Sequence, residues 1–305
     1  MRGMSVDKLE SMRVFIEVAR ALSFAGAGEK LGLSAPAVTR SIAALEANLG
    51  AKLFNRTTRH VRLTEQGAQF LDDSKHILEV LEEAEAAVSG GYAKPKGVLT
   101  VTAPILFGQK HVAPIITEYL QQNPEVSVRA MFYDRITSMV EEGIDIAVRI
   151  GHLKDSNLYA TPVGEVRRVI CGSPQYFDRH GRPNCPNDLK NHNVIFASTF
   201  EVNAAWHFSN NGKKETVKLT PRLHCNQNGA ALKAALQGFG VTRLMSYQVA
   251  EELKEGCLEC VLAAYEEQPL PVNVVYLEGR RASAKIRAFI KLAEQRLKEN
   301  PAIYA

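Results

Sequence analysis

Apolar side chains at Val38, Ile42, Leu45 and Leu49 recur at spacings of four, three and four, the mark of one buried stripe along a helix. The helix they predict runs from Ala35 to about Asn48. Ser34 caps it, and Pro36 sits in its first turn, where a missing N–H costs little. The stripe leaves Pro36, Ala37, Thr39, Arg40, Ser41 and Ala44 facing outward. Upstream, Ser23 caps a shorter helix ending at Leu31, and Gly32-Leu33 turns the chain between the two. Downstream, Lys52 to Leu63 reads as two short strands around a polar tip. Leu53, Phe54, Val61 and Leu63 anchor those strands and leave Arg56, Arg59 and Arg62 outside. From Thr64 to about Val88 there is no proline. Phe70, Ile77 and Ala84 repeat every seven residues, as do Ser74, Leu81 and Val88, with Leu71 and Leu78 widening the stripe. That pattern predicts a heptad-like helix of about six turns, with a seam suited to a second copy. Residues 89–97, rich in glycine, end it as a hinge.

Beyond residue 97 the pattern alternates strand and helix. Strands are expected at Val98–Thr102, Val126–Tyr133 and Asp145–Ile150, and helices from Ile105 to about Gln122 and from Ile136 to Glu142. This βαβαβ order implies a parallel sheet with helices on its faces. A second unit begins near Val169. It holds a strand at Val194–Phe196, a hairpin turning at Asn211-Gly212, and helices at Gly229–Gln237 and from Gln248 to Glu255. Val272–Leu277 and a final helix, Ala284–Lys298, close the chain.

Charge separates these regions. Residues 1–66 hold ten Lys/Arg against six Asp/Glu, whereas residues 67–95 hold two against six, so the net charge has returned to zero by residue 95. The whole chain carries +4, spread thinly over its last two-thirds. Only the N-terminal module is built for a polyanion. Its outward face is small, polar and marked by Arg40, which suits a DNA major groove, while the strand-tip arginines suit phosphates.

At 305 residues, with 46% apolar and 23% charged residues, the chain is expected to form two or three globular domains. It contains no run of about 18 apolar residues, and Met1–Lys8 lacks the apolar core of a signal peptide, so a cytoplasmic location without membrane contact is expected. No nucleophile elbow, phosphate loop, zinc-protease pair or dinucleotide fingerprint is present, so no enzyme and no cofactor is expected. Cys257 and Cys260 match a C-x-x-C spacing, but no second ligand pair stands nearby, and the segment enters a strand. A structural role is therefore expected and no metal site. Cys225, in a loop entering a helix, is a thiol that could face a ligand or an oxidant.

Several ordered motifs at fixed offsets identify residues 6–64 as similar to the winged helix-turn-helix of the LysR-type transcriptional regulators. They are Met12-Arg13-Val14-Phe15, Leu22-Ser23-Phe24-Ala25, Leu31-Gly32-Leu33-Ser34, Pro36-Ala37-Val38-Thr39-Arg40, Leu45-Glu46, Leu49-Gly50, Leu53-Phe54 with Arg56, and Leu63-Thr64-Glu65-Gln66-Gly67. Gly28 departs from the family, which usually has a second alanine there.

The resemblance implies an α/β multidomain chain. A winged helix-turn-helix (6–64) and a linker or dimerisation helix (65–91) would precede an effector-binding domain (97–305) with the two-lobed fold of periplasmic solute-binding proteins. Lobe 1 would span about 97–167 and 270–305, and lobe 2 about 168–269. Implied partners are double-stranded DNA at a pseudo-palindromic site, a second copy or a tetramer, RNA polymerase, and a small effector between the lobes. Ser23, Ser34, Pro36, Ala37, Thr39, Arg40, Arg56 and Arg59 are the expected DNA contacts. For the effector, ligands gather at the carboxyl ends of strands. The backbone N–H groups of Ile105 and Leu106 after Pro104, with Arg135, Arg149, Thr199, Phe200 and Asn228, predict a small carboxylate. Against that stands pairing of Arg135 and Arg149 with Asp134 or Asp145. Trp206 and Phe208 are expected in the core.

Overall fold

A computed structural model of the chain describes residues 8–56, 61–88, 94–153, 158–198, 204–210, 212–277 and 282–303. Two compact units result, Met1–Ala93 and Lys94–Ala305.

In the first unit, α1 (Lys8–Ala21), α2 (Phe24–Leu31) and α3 (Ala35–Leu49) pack around Val14, Phe15, Val18, Ala27, Val38, Ile42 and Leu45. Their ends are set by local chemistry. Ser23 Oγ accepts from Gly26 N at 3.2 Å, and Gly32, at φ 66°, ends α2 in the left-handed conformation that glycine adopts without strain. Gly28 is buried where the turn closes. A Cβ there would stand 2.6 Å from the Leu33 carbonyl oxygen. Strands β1 (Phe54–Arg56) and β2 (Val61–Leu63) pair antiparallel as the wing, and α4 (Glu65–Val88) leaves it. Phe15 ties these parts together, its ring 5.2 Å from Phe54 and 5.4 Å from Phe70.

Two expectations change here. Leu49 is 44% exposed, and the fourth inward position of α3 is Glu46, 3% exposed. The helix stops at Gly50 and the chain doubles back past Glu46, so the last apolar residue is left outside. The α4 stripe also divides. Phe70 and Leu71 pack on the core of their own unit and Ser74 is buried, while Ile77 and Val80 remain exposed. Residues 89–93 of the expected hinge lie outside the described residues.

The second unit contains two five-stranded sheets. It opens with β3 (Gly97–Ala103), then α5 (Ile105–Phe107), a π-helical turn (Gly108–Val112) and α6 (Ala113–Gln122). Strands β4 (Val126–Phe132), β5 (Ile146–Ile150) and β6 (Tyr159–Val166) follow, the last crossing to β7 (Arg168–Gly172) and α7 (Pro174–His180). Next come β8 (Val194–Ala197), the hairpin β9 (Ala205–Asn210) and β10 (Lys213–Lys218), β11 (Leu223–Cys225) and α8 (Asn228–Leu236). The chain ends through β12 (Val241–Met245), α9 (Ala250–Lys254), β13 (Glu259–Val261), β14 (Leu270–Tyr276) and α10 (Ala284–Lys298). Lobe 1 is the sheet β4-β3-β5-β14-β6 and lobe 2 the sheet β11-β8-β12-β7-β13. Within lobe 1, β3 runs parallel to β4 and β5, while β14 returns antiparallel between β5 and β6. Trp206 and Phe208 are buried in the lobe 2 core, as expected.

The helix expected over Ile136–Glu142 does not form; the segment is a series of turns. Ile136 is 91% and Val140 74% exposed, while Thr137 and Met139 turn inward. A short helix needs a buried face to hold it, and inward positions two residues apart with Val140 in water do not make one. The helix expected from Gln248 begins at Ala250, after a 3-10 turn at Ser246–Gln248. Cys260 lies in β13 but Cys257 precedes it, and both are free thiols.

Candidate nucleic-acid interface and ligand cleft

The outward surface of α3 is set by its cap. Ser34 Oγ accepts from Ala37 N at 3.4 Å, fixing the first turn, and Pro36, Thr39 and Arg40 stand exposed on it. Thr39 Oγ1 donates to the Ala35 carbonyl at 2.9 Å, which fixes its side chain on the helix surface. Arg40 forms no ion pair among the described residues, whereas Arg20 and Lys30 both lie against Glu17, at 3.7 and 3.9 Å. The single acid of α3, Glu46, is turned inward. The exposed helix N-terminus therefore carries a positive dipole end and no negative side chain, as an approaching phosphate requires.

Glu46 is the functional residue that pattern reading missed. Its Oε1 accepts from Leu53 N at 3.0 Å and Phe54 N at 3.3 Å, and its Oε2 accepts from Lys52 Nζ at 3.0 Å. One buried carboxylate thus fastens the wing to the helix beside it. Thr64 Oγ1 closes the other end, donating to Lys52 O at 2.7 Å and accepting from Gly67 N at 2.9 Å. Arg56 ends β1, and Arg59 lies outside the described residues.

In the second unit a cleft of about 500 Å³ opens at the carboxyl ends of β3 and β5. Pro104, Arg135, Arg149 and Asn228 line it, together with Asp134, Thr137, Met245 and Gln248. Its walls are mainly apolar, from Ala147, Val148, Leu158 and Val275. The anion site expected at the helix N-terminus is already filled by the protein, since Ile105 N donates to Asp134 Oδ1 at 3.0 Å. Leu106 packs against the lobe 1 core and does not line the cleft. Arg135 pairs with Glu142 rather than with an aspartate, through two contacts of 2.8 Å, and lies over the Tyr133 ring. Arg149 donates through Nη2 to Thr137 O at 2.8 Å, and Asp145 accepts from Thr100 N at 2.7 Å. Thr199 and Phe200 lie outside the described residues.

Beside the cleft, Lys110 Nζ reaches Gln248 O at 3.5 Å and Glu251 at 3.2 Å, and so ties the π-helical turn to the segment after β12. His111 packs on Phe107 and Tyr247, and burial, aided by Lys110, lowers its pKa to about 4. Burial pushes the Cys260 thiol up to about 11 and Cys171 further still, so neither holds a thiolate near neutrality. Cys225 is half-buried on β11, its Sγ 3.5 Å from Gln227 O. No cluster of metal-ligating side chains exists among the described residues, and no helix among them is long and apolar enough to cross a membrane.

Known proteins match this arrangement over nearly its whole length. The family model for the bacterial regulatory helix-turn-helix protein, lysR family, matches residues 9–68, and that for the LysR substrate binding domain matches residues 93–298. An HTH-type transcriptional repressor of Pseudomonas aeruginosa is 30% identical over 300 residues, covering 98% of this chain and 95% of that relative. The HTH-type transcriptional regulator DmlR of Escherichia coli is 30% identical over 293 residues, 96% of this chain and 95% of its own. Among solved structures, CrgA of Neisseria meningitidis, a LysR-type transcriptional regulator, aligns with a TM-score of 0.62 at 28% identity, covering 95% of this chain and 99% of that one.

Proposed function

The chain belongs to the LysR-type transcriptional regulators, DNA-binding proteins that are not enzymes, and from that premise we propose that it binds a pseudo-palindromic operator as an oligomer under control of a small molecule held between its two lobes. The observation that carries the reading is the exposed α3 face. It is small, uncharged except for Arg40, and rigidly presented by the Ser34 cap. Arg40, with Ser34, Pro36, Ala37 and Thr39 around it, reads base edges, while Ser23, Arg56 and Arg59 meet the backbone. Ile77 and Val80, exposed on α4, supply apolar surface for a second copy, and a two-fold protein reads a two-fold site. In this reading the cleft holds the effector, and the change in its occupancy reaches transcription through RNA polymerase at the promoter.

The test is association of the full chain with duplex DNA flanking its own gene, followed by fluorescence anisotropy across a salt series. Counterion release predicts that log K falls linearly with log salt, with a slope of about −0.9 for each phosphate neutralised. Footprinting then locates the site. Absence of any salt-sensitive association with duplex DNA would refute the reading.

A further inference from the structure

The chain passes between the two sheets of the second unit at two places. Arg167 is the one residue between β6 of lobe 1 and β7 of lobe 2, and residues 262–269 carry the chain back from β13 to β14. Two crossings alone make a hinge, about which two lobes turn as separate bodies.

A third connection is made by side chains. Between β12 and α9 the segment 244–249 reaches from lobe 2 into lobe 1 and returns. Leu244 packs in a lobe 2 core, Met245 and Tyr247 in the lobe 1 core, and Val249 in the lobe 2 core again. Tyr247 is 2% and Val249 0% exposed, so residues two apart are buried by different sheets. The Tyr247 ring stands edge-on to Phe107 at 5.1 Å and to His111 at 5.7 Å. Its hydroxyl accepts from Gln248 Nε2 at 3.1 Å, and Gln248 Oε1 accepts from Met245 N at 3.0 Å, which braces the turn from within. Ser246 bonds twice to Arg167, donating from N to its carbonyl at 2.8 Å and accepting at Oγ from its N at 3.1 Å. The Arg167 guanidinium in turn pairs with Glu266 of the second crossing at 2.7 Å. All three connections meet at Arg167.

We propose that residues 245–249 rivet the lobes together, with Tyr247 as the head in one core and Val249 as the foot in the other, so that the second unit opens and unfolds as one body. Parting the lobes requires Tyr247 to leave lobe 1, which would empty a ring-sized space beside Phe107 and His111. Lys110 seats the rivet from outside, through Glu251 at 3.2 Å and the Gln248 carbonyl at 3.5 Å. The Glu251 side chain is 74% exposed, so this strut can break and re-form in water while the aromatic head stays in its socket. The rivet is independent of what the cleft binds.

Native-state hydrogen exchange of the full chain in rising urea, read peptide by peptide by mass spectrometry, tests this. Amides of β3 and β5 in lobe 1 and of β7 and β8 in lobe 2 are expected to lose protection at the same urea concentration. Phe289→Leu weakens the lobe 1 core away from the joint and should lower that concentration for both lobes together. Tyr247→Leu, the same loss of a ring from the same core, should instead part them, with lobe 1 losing protection at least about 0.5 M urea before lobe 2. Lys110→Met alters only the strut, so it keeps the test open even if Tyr247→Leu fails to fold. It should speed exchange at residues 245–251 about two- to fivefold, the factor of one exposed ion pair, and leave both cores unchanged. The rivet is refuted if the lobes of the unaltered chain already lose protection at different urea concentrations, or if Tyr247→Leu moves both lobes together as Phe289→Leu does. Unchanged exchange at residues 245–251 in Lys110→Met would refute it as well.

Discussion

Removing the Glu46 carboxylate should unfasten the wing, and the size of the loss follows from what it holds. Glu46 is 3% exposed and accepts from Leu53 N and Phe54 N, both buried amides. In Glu46→Ala those two N–H groups lose their acceptor, at about 1–3 kcal/mol each. Lys52, whose side chain is 78% exposed, simply returns to water and adds little. A loss of about 3–5 kcal/mol from the N-terminal unit is therefore expected. Glu46→Gln keeps a carbonyl oxygen for both amides and loses only the charge, so about 1–2 kcal/mol is expected. The molecule supplies its own control. Its one tryptophan, Trp206, is buried in the second unit. Urea unfolding followed by tryptophan emission thus reports the second unit, while far-ultraviolet circular dichroism reports both. With a slope of roughly 1–2 kcal/mol per molar for so small a unit, a 3 kcal/mol loss moves the helical transition by about 1.5–3 M. The Trp206 transition should stay in place. A Glu46→Ala shift below about 0.3 M, or an equal shift in both signals, would refute the assignment of Glu46 as the fastening of the wing.

Three other outcomes are expected. Gly67→Ala places a Cβ 2.0 Å from the Leu53 carbonyl oxygen, so the gain of about 1 kcal/mol in helix propensity should be outweighed. Anisotropy should show weaker DNA binding and dichroism an earlier transition. The His111 pKa is lowered from 6.5 to about 4 by burial, so between those values the unfolded chain takes up a proton that the folded chain refuses. Stability from this group is full above pH 6.5 and lost as pH falls towards 4; thermal melts across that window should show a smaller decline in His111→Gln. Arg40→Ala should relax discrimination at one base position by about 1–3 kcal/mol, measured on a panel of single-base operator variants. Unchanged discrimination would remove Arg40 from base reading.

Helices α2 and α3 were legible because their ends are chemically marked, whereas α1 carries no such marks and went unread. Ser23, Gly32, Ser34 and Gly50 each act within three or four residues of themselves, so a linear pattern contains both partners of the contact. Glu46 was not legible, since its partners lie seven and eight residues away across a reversal of the chain, and hydrophobic spacing alone prefers Leu49. A sequence signal did exist. An acid at an inward helical position, six residues before Lys52 and followed by a glycine stop, can turn back on the next segment.

The anion site at the Ile105 end of the cleft was misread for the same reason on a longer scale, although Pro104, Arg135, Arg149 and Asn228 do line the cleft. An open N–H at Ile105 was a sound expectation from the β3–α5 turn alone, but Asp134 arrives from the far end of β4, 29 residues on. The turns at Ile136–Glu142 show the converse case. Their spacing fits a helix, yet the segment anchors itself on β5 and β14 through Met139, with Thr137 also buried, and Ile136 and Val140 stay in water. The charges beside the cleft are thus already spent within lobe 1: Asp134 on the Ile105 amide and Glu142 on Arg135, each partner reached across a turn that local spacing does not foresee.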